Sequence, residues 1–150
     1  MAVMTPSRSV TQPRDPNDQS TPESTAESTA ELTVAIADDD PTVLAAMAGL
    51  FRAHAPWQVV GTATNGNDLI EIVEATRPLV VVSDVYLPDG EAPLFSRLHA
   101  LDPRPRVVVA ISARATASLR RKLRDAGADE LLRKGLDDPV AAVERLLADG

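Results

Sequence analysis

The stretch LVVVS, from Leu79 to Ser83, is an almost unbroken apolar run that leads directly into Asp84. A short run of this kind is typical of a strand that is covered on both faces, as in a parallel sheet flanked by helices. In open α/β folds, ligands bind beyond the carboxyl ends of such strands. The stretch therefore predicts a buried parallel strand with a carboxylate at the edge where a site forms.

Strand-like runs and helical stretches alternate on both sides of this segment. The predicted strands are Leu32–Ala37, Trp57–Thr64, Leu79–Ser83, Arg106–Ile111 and Asp129–Arg133. The predicted helices are Thr42–His54, Leu69–Thr76, Leu94–Ala100, Ala115–Ala126 and Pro139–Leu147. Such an alternation implies right-handed crossovers between parallel strands. We expect a doubly wound α/β domain with a five-stranded parallel sheet and five helices.

Residues 1–31 differ in composition from the rest of the chain. They are rich in Pro, Ser, Thr and Gln, and they contain the tandem repeat ESTAESTA at Glu23 to Ala30. This composition does not bury enough apolar surface to offset the entropy of ordering the chain. We expect a disordered tail over 1–31, which either binds a partner or serves as a spacer, and a folded domain over 32–150.

Composition also restricts the chemistry and the partners of the chain. The absence of cysteine removes disulfides, thiol catalysis and Cys-ligated zinc. The 22 acidic residues outnumber the 15 basic ones, and the formal net charge of −7 argues against a broad nucleic-acid interface. No apolar run approaches the ~20 residues of a membrane span, and the N-terminus lacks the apolar core of a signal peptide. We expect a cytoplasmic protein that does not contact a membrane.

Polar and charged side chains follow four of the five predicted strands. The carboxylates Asp38–Asp40 follow the first strand, Asp84 the third, Ser112 the fourth and Lys134 the fifth. Adjacent carboxylates repel each other, and a hard cation such as Mg²⁺ relieves the repulsion. A metal-held carboxylate can attack phosphorus, and Mg²⁺, a lysine and a hydroxyl can neutralise a phosphoryl group. The strand ends therefore favour a phosphoryl-transfer site.

The motifs at these strand ends match a known family. They are ADDDP at Ala37–Pro41, SDVYLP at Ser83–Pro88, AISA at Ala110–Ala113 and GADELLRK at Gly127–Lys134. Together they resemble the receiver domain of two-component response regulators, which has the CheY-like fold. VVGTATNG, at Val59–Gly66, resembles the second strand and turn of LuxR-type receivers. The resemblance covers Leu32 to about Leu147 and implies the flavodoxin-like strand order 2-1-3-4-5.

For the metal, the resemblance implies a defined set of ligands. Asp38 and Asp39 would be the acidic pair that organises Mg²⁺. Asp84 would be a metal ligand and also the phosphoacceptor, and Tyr86 would lend its backbone carbonyl to the metal. Asp40 precedes Pro in the sequence, and we interpret it as an N-cap of the following helix.

For the phosphoryl group, the resemblance implies two further contacts. Ser112 would hydrogen-bond a phosphoryl oxygen and shift inward on activation, and Lys134 would pair with the phosphoryl charge. Tyr86 and Arg114 lie two residues after Asp84 and Ser112, respectively, and both are bulky enough to shield an acyl phosphate from water. We therefore expect slow self-dephosphorylation.

The sequence departs from the family pattern at three positions. Leu131 stands where receivers usually carry Tyr or Phe, so the usual aromatic switch cannot operate as such. Gly135 rather than Pro follows Lys134, which leaves open whether the cis peptide common there forms. Ala92 stands where Gly is frequent, so the loop after Asp84 is expected to run differently. None of these departures touches the phosphorylation residues.

Other polar residues have ordinary structural interpretations. His54 and His99 lie in predicted helices away from strand ends, which favours helix-surface roles. Asp89 follows Pro and precedes Gly, as turn residues do. The basic stretch RRKLR, at Arg120–Arg124, is expected to be a solvated helix face, with partner docking as the alternative.

The resemblance implies a signalling function for the chain. Asp84 would accept phosphate from a sensor histidine kinase or a phosphotransfer protein, and the chain would catalyse only its own phosphotransfer. It would signal to an output protein through the surface formed by the fourth helix, the fifth strand and the last helix, and it could form a homodimer. No helix-turn-helix precedes the end at Gly150, so we expect a single-domain regulator without direct nucleic-acid contact.

Three alternatives remain open. The chain could be a fragment of a LuxR-type transcription regulator. It could be a pseudo-receiver that binds partners without being phosphorylated, which Leu131 favours and the intact set of site residues opposes. A phosphohydrolase of the haloacid dehalogenase type would need a second Asp two residues after its nucleophile, where this chain has Tyr86.

Overall fold

The predicted alternation of strands and helices is present throughout the residues that the computed structural model describes, 31–89 and 91–149. The strands are β1 (Thr33–Ala37), β2 (Gln58–Ala63), β3 (Val80–Asp84), β4 (Val107–Ser112) and β5 (Glu130–Arg133). The helices are α1 (Pro41–Arg52), α2 (Gly66–Thr76), α3 (Glu91–His99), α4 (Ala117–Asp125) and α5 (Pro139–Asp149). The tail predicted over 1–31 lies outside the described residues, apart from Glu31.

The five strands form one parallel sheet in the order β2-β1-β3-β4-β5, which confirms the predicted doubly wound architecture. Val81, in the middle of β3, pairs with Ala35 of β1 on one side and with Val108 of β4 on the other. Every residue of β3 and β4 is buried. The apolar run that begins at Leu79 is therefore a central strand covered on both faces, as its composition predicts.

Side chains of the central strands alternate between two aliphatic cores, one on each face of the sheet. Ala35 and Val81 pack with α2, α3 and α4 on one face, whereas Ile36 and Val82 pack with α1 and α5 on the other. The alternation follows from the period of two residues in a strand. Because helices cover both faces, the carboxyl edge of the sheet is the place where polar side chains can converge.

The second helix begins three residues earlier than the sequence predicts, at Gly66 rather than Leu69. Asn65 has an extended backbone, and its side-chain oxygen accepts a hydrogen bond from the Asp68 N–H at 2.8 Å. Asn65 is therefore the N-cap of α2. The apolar periodicity begins only at Leu69, one turn into the helix, so the sequence pattern predicts a start that is too late.

Two other helices also begin away from their predicted residues. α3 begins at Glu91 rather than Leu94, with Pro93 in its first turn, where a missing N–H removes no helical hydrogen bond. α4 begins at Ala117 because the Thr116 hydroxyl caps it. Within the described part of the chain, no helix has the combination of length and apolar character that crossing a bilayer requires.

Two glycines are required by the close packing of helices. The pairing of β1 with β2 shifts by one residue before Gly61, and a Cβ there would lie 2.6 Å from Ile72 Cγ2 of α2. Gly127 follows α4 with φ of +110°, and a Cβ there would lie 2.7 Å from the His99 side chain. The backbone at Gly127 is the left-handed end that glycine suits after a helix, and both positions disfavour a side chain.

Phe51 of α1 is one of the two largest fully buried side chains, and it belongs to the core that α1 and α5 share. Its ring meets Trp57 edge-on, with 5.2 Å between the ring centroids. The Trp57 indole N–H in turn donates to Glu144 Oε2 of α5 at 3.0 Å. This small aromatic group connects α1, the start of β2 and α5 in an otherwise aliphatic core.

We expect Phe51→Ala to lower the free energy of unfolding by about 3–5 kcal/mol, because removal of this fully buried ring leaves a cavity in the core. Leu50→Ala is the matched control, since the neighbouring Leu50 is exposed, and it should change the free energy by no more than about 0.5 kcal/mol. Urea denaturation followed by far-UV circular dichroism measures both variants. Equal urea midpoints for the two variants would contradict a contribution of the buried Phe51 ring to stability.

Candidate functional site

The carboxyl ends of four strands bring the predicted site residues to one edge of the sheet. Asp38 follows β1, Asp84 ends β3, Ser112 ends β4 and Lys134 follows β5. Asp38, Asp84 and Ser112 are buried although they are polar. The Lys134 N–H donates to the Ser112 carbonyl at 2.8 Å, which fixes the end of β5 against β4. The edge therefore carries a group of buried polar side chains held by the sheet itself.

Three carboxylates form a cluster at this edge. Asp38, Asp39 and Asp84 each offer an oxygen atom, and these atoms all lie within 4.8 Å of one another. Asp39 is exposed at the mouth of the cluster, whereas the other two are buried. Asp40 does not belong to it, because its side chain accepts from the Thr42 N–H at 2.8 Å and caps α1, as predicted.

The ammonium of Lys134 is the cation that faces the two buried carboxylates. Its Nζ lies 2.9 Å from Asp38 Oδ2 and 3.2 Å from Asp84 Oδ2. Asp38 Oδ1 accepts from the Asp40 N–H at 2.8 Å. Among the described residues, Asp38 Oδ2 accepts no regular hydrogen bond, so its contact is the ion pair with Lys134. One ammonium thus serves two carboxylates.

Burial raises the pKa of Asp84 above its ordinary value, and the nearby charge of Asp38 adds to this, although Lys134 acts in the opposite direction. For Lys134, burial alone would lower the pKa, but the close contact with the Asp38 carboxylate and the charges of Asp84 and Asp38 together raise it. Lys134 therefore stays protonated, and the negative charge of Asp84 is incompletely compensated.

The cluster has the composition that a hard divalent cation requires. Three carboxylates and one ammonium leave two unbalanced negative charges when all are ionised. The donors are oxygen atoms, which Mg²⁺ prefers, and no sulfur or imidazole ligand belongs to this cluster. The residues at this edge therefore fit a magnesium ion.

Ser112 and Tyr86 flank the cluster. The Ser112 hydroxyl oxygen accepts from the Arg114 N–H at 3.2 Å, which leaves the hydroxyl proton free to donate elsewhere. The Tyr86 N–H lies 3.5 Å from Asp84 Oδ1, and the Tyr86 side chain is 57% exposed. Gly135, after Lys134, has φ of +80°, and its peptide bond to Lys134 is not among the cis peptides of the described residues.

Asp89 makes contacts that the sequence interpretation missed. It is a turn residue, as predicted, with φ of +54°, but its Oδ1 also accepts from the backbone N–H groups of Gly66 and Asn67 at 2.7 and 3.1 Å. Those N–H groups open α2. The local sequence gives no signal for this contact, because Asp68 already places an acidic side chain in the first turn of α2.

The remaining polar residues lie where the sequence predicts. His54 and His99 are exposed in or next to helices, and His54 Nδ1 contacts the Leu50 carbonyl at 2.8 Å. In α4, Leu123 is buried while Arg121, Lys122 and Arg124 are exposed, which agrees with the predicted solvated face. Arg120 departs from it, because it is half-buried and donates to the Leu131 carbonyl. Neither feature contributes to the cluster at the sheet edge.

The fold and the cluster together define a class: a doubly wound α/β domain with carboxylates and a lysine at the carboxyl edge of its sheet. The profile of the family described as "Response regulator receiver domain" matches residues 34–144. The chain belongs to this family, which confirms the resemblance derived from its motifs. It is a receiver domain of two-component signalling.

Individual relatives agree with this assignment. Protein-glutamate methylesterase/protein-glutamine glutaminase 4 of Geobacter metallireducens is 36% identical over 98 residues, which are 63% of this chain and 28% of that protein. The chain spans less than a third of the length of the three methylesterases that it matches. The likeness therefore covers a part of each relative.

Solved structures give the same fold. The signal receiver domain of NarL from Mycobacterium tuberculosis has a TM-score of 0.74 at 23% identity, covering 80% of this chain and 98% of that one. A LuxR-family response regulator from Aurantimonas sp. SI85-9A1 has a TM-score of 0.73 at 23% identity, covering 80% and 87%. At these identities the likeness establishes the fold alone.

We expect Asp84→Asn to raise the melting temperature in metal-free buffer at neutral pH by roughly 4 °C, or about 1 kcal/mol. The raised pKa of Asp84 means that its ionised form disfavours folding. The advantage of the variant should shrink as the pH falls through that raised pKa, because wild-type Asp84 then becomes neutral as well. Differential scanning fluorimetry across acidic to neutral pH measures this.

With added Mg²⁺, the wild type should have a higher melting temperature than Asp84→Asn. A bound ion stabilises the wild type, and the variant lacks one charged ligand. Asp125→Asn, at the end of α4 and away from the cluster, is the control for removal of a carboxylate and should behave as the wild type. An Asp84→Asn variant that is less stable than the wild type without metal would contradict the incomplete compensation of Asp84.

Proposed function

We propose that the chain is the phosphoacceptor of a two-component phosphorelay and that Asp84 is the residue phosphorylated. The observation that supports this is the position of Asp84, which lies between two further carboxylates and the Lys134 ammonium at the carboxyl edge of the sheet. This arrangement can hold a cation and a phosphoryl group side by side. Membership of the receiver family agrees with it.

The proposed reaction transfers a phosphoryl group from a phosphohistidine of a sensor histidine kinase or a phosphotransfer protein. A carboxylate oxygen of Asp84 forms the new P–O bond while the P–N bond breaks, and the electron pair returns to the imidazole, which takes up a proton. Positioning and charge neutralisation supply most of the catalysis in such transfers. The chain would thus promote only its own phosphorylation, and we propose no turnover activity.

For the metal, we propose Asp38, Asp39 and Asp84 as carboxylate ligands and the Tyr86 backbone carbonyl as a further one. The two unbalanced negative charges of the cluster support this assignment, since they equal the charge of one Mg²⁺. When bound, the ion would neutralise charge on the phosphoryl oxygens. Asp38 and Asp39 are adjacent on the turn after β1, which presents both to the same ion.

Two residues would bind the transferred group. Lys134 lies 3.2 Å from Asp84 Oδ2, so its ammonium is close to a phosphoryl group on that carboxylate. Ser112 ends β4, which pairs with β3 such that Asp84 lies opposite Ile111, one residue before Ser112. Its free hydroxyl proton can donate to a phosphoryl oxygen. These contacts would distinguish the phosphorylated from the free state.

We propose that phosphorylation changes partner binding at the surface formed by α4, β5 and α5, in the cytoplasm where a kinase would act. Arg120 of α4 donates from Nη1 to the Leu131 carbonyl of β5 at 3.1 Å, so these two elements are connected. The partner at this surface could also be a second copy of the chain, which would form a homodimer. The acidic net charge of the chain does not favour direct nucleic-acid contact.

The second candidate function is a pseudo-receiver that binds its partners without phosphorylation. Leu131 favours it, because this side chain is 2% exposed and packs in the core with α2, α3 and α4. An aliphatic side chain at that position cannot supply the aromatic switch that the family resemblance implies. A pseudo-receiver would not be phosphorylated by a phosphodonor, whereas a phosphoacceptor would, so phosphorylation separates the two candidates.

We expect the full chain to gain the mass of one phosphoryl group on incubation with Mg²⁺ and acetyl phosphate, measured by intact mass spectrometry. Asp84→Ala should gain none, because it lacks the acceptor oxygen. Asp125→Asn is the control for loss of a carboxylate and should be phosphorylated as the wild type is. Chelation of Mg²⁺ with EDTA should prevent the gain, because the cluster then repels the phosphodonor.

No gain by the wild type, either with acetyl phosphate or with phosphorylated histidine kinases, would refute the phosphoacceptor proposal and favour the pseudo-receiver. A gain that persists in Asp84→Ala would assign the modification to another residue.

We also predict that Tyr86→Ala loses its phosphoryl group faster than the wild type, by about tenfold, which corresponds to ~1.4 kcal/mol of barrier. Tyr86 stands two residues after Asp84, and we propose that its bulky ring shields the acyl phosphate from water. Tyr86→Phe keeps the ring and should resemble the wild type. Release of inorganic phosphate from the purified phosphoprotein measures the rates, and equal, rapid loss in all three proteins would contradict the shielding role.

A further inference from the structure

The N-terminus of α2 is completed by a residue from a distant loop. The three N–H groups at its start belong to Gly66, Asn67 and Asp68, and a helix cannot satisfy these groups itself. Asn65, the local N-cap, accepts from the Asp68 N–H. The N–H groups of Gly66 and Asn67 are instead bound by Asp89 Oδ1, at 2.7 and 3.1 Å.

The Asp89 contact is maintained against a backbone cost. Asp89 has φ of +54°, a left-handed conformation that costs most non-glycine residues on the order of 1 kcal/mol and costs Asp or Asn less. Two charge-assisted hydrogen bonds at the positive end of a helix can offset that cost. The Gly66 N–H is shared between two acceptors of the loop, because the Pro88 carbonyl also accepts from it at 3.1 Å. Residues 88 and 89 therefore fasten the loop to α2.

The loop that Asp89 fastens is the loop that leaves Asp84. At its beginning, the Val85 N–H donates to the Ile111 carbonyl of β4 at 2.9 Å. Val85 and Leu87 are buried, so their side chains anchor the middle of the loop in the core. Tyr86, whose backbone carbonyl is a proposed metal ligand, lies between these anchors and three residues before Asp89.

We propose that Asp89 is a positioning residue for the divalent cation. By binding the first two N–H groups of α2, it fixes the far end of the loop. This end in turn holds the Tyr86 backbone, whose N–H lies 3.5 Å from Asp84 Oδ1, beside the metal site. The inference rests on the proposed Mg²⁺ site and deepens it, because it makes α2 part of the support of that site. Residues that orient metal ligands typically change metal affinity by about 10–100-fold when they are removed.

The test uses three substitutions of Asp89 in the full chain. Asp89→Gly removes the carboxylate and permits the left-handed backbone, whereas Asp89→Ala removes the carboxylate and keeps the backbone strained. The two variants share the lost acceptor and differ in backbone freedom, so a defect common to both is due to the carboxylate. Asp89→Asn retains an acceptor oxygen and tolerates the left-handed conformation, which makes it the rescue variant.

The matched control is Asp68→Ala. Asp68 is the acidic residue in the first turn of α2, and its Oδ2 accepts from Asn65 Nδ2 at 2.9 Å. Its removal weakens the start of α2 without touching the loop after Asp84. A defect that arises merely from a less stable helix would therefore appear in Asp68→Ala as well.

Two measurements are made on each protein: the Mg²⁺ dissociation constant by isothermal titration calorimetry, and amide hydrogen exchange at Gly66 and Asn67 by NMR. We expect Asp89→Gly and Asp89→Ala to exchange faster at Asn67, with a smaller change at Gly66, whose N–H keeps the Pro88 carbonyl as an acceptor. Both variants should bind Mg²⁺ about tenfold more weakly, with Asp89→Asn close to the wild type. Asp68→Ala should keep the wild-type Mg²⁺ affinity.

Wild-type Mg²⁺ affinity in Asp89→Gly and Asp89→Ala would overturn the positioning role and leave the proposed phosphoacceptor function intact. An equal loss of affinity in Asp68→Ala would overturn it too, because the effect would then be one of helix stability. A wild-type chain that binds no Mg²⁺ would overturn both the inference and the metal site on which it rests.

Discussion

The carboxylate of Asp38 has no exposed surface, and a charge so far from water is tolerated only where other groups compensate it. The Asp40 N–H and the Lys134 ammonium supply that compensation, at 2.8 and 2.9 Å. Lys134 follows β5 whereas Asp38 follows β1, and β3 and β4 lie between these two strands. The ion pair therefore forms only when four strands of the sheet are assembled in register, so the charge balance of the site depends on the whole fold.

The same ion pair explains why the site keeps enough negative charge to attract a cation. Lys134 contacts Asp84 as well as Asp38, and one ammonium cannot balance two buried carboxylates and Asp39 beside them. The raised pKa of Asp84 follows from burial that this single cation does not offset. A structural ion pair would be expected to match its charges one to one. The excess of negative charge at the sheet edge supports the proposed binding of a divalent cation beside Asp84.

Much of this arrangement could be predicted from the sequence, because it depends on strand ends. Apolar runs locate the strands, and parallel pairing brings the residues that follow them, such as Asp84 and Lys134, to one edge. Asp89 could not be assigned this way, since its partners lie 22 and 23 residues away in another loop. Its local context correctly predicts a turn, but a contact between two loops has no periodicity. The start of α2 was misplaced for a related reason, because Asn65 caps a turn with little apolar pattern.

Leu131 restricts the ways in which phosphorylation could change the surface formed by α4, β5 and α5, because the aromatic switch is missing. The residue is a buried leucine, so it has no ring that could rotate between a buried and an exposed position. The backbone offers another connection: the Lys134 N–H donates to the Ser112 carbonyl, and Arg120 donates to the Leu131 carbonyl. Under the proposed function, an inward shift of Ser112 and Lys134 toward a phosphoryl group would pull on β5 through the first bond and on α4 through the second. Transmission would then proceed by a joint displacement of β5 and α4, because the hydrogen bonds that couple them do not depend on which side chain occupies position 131.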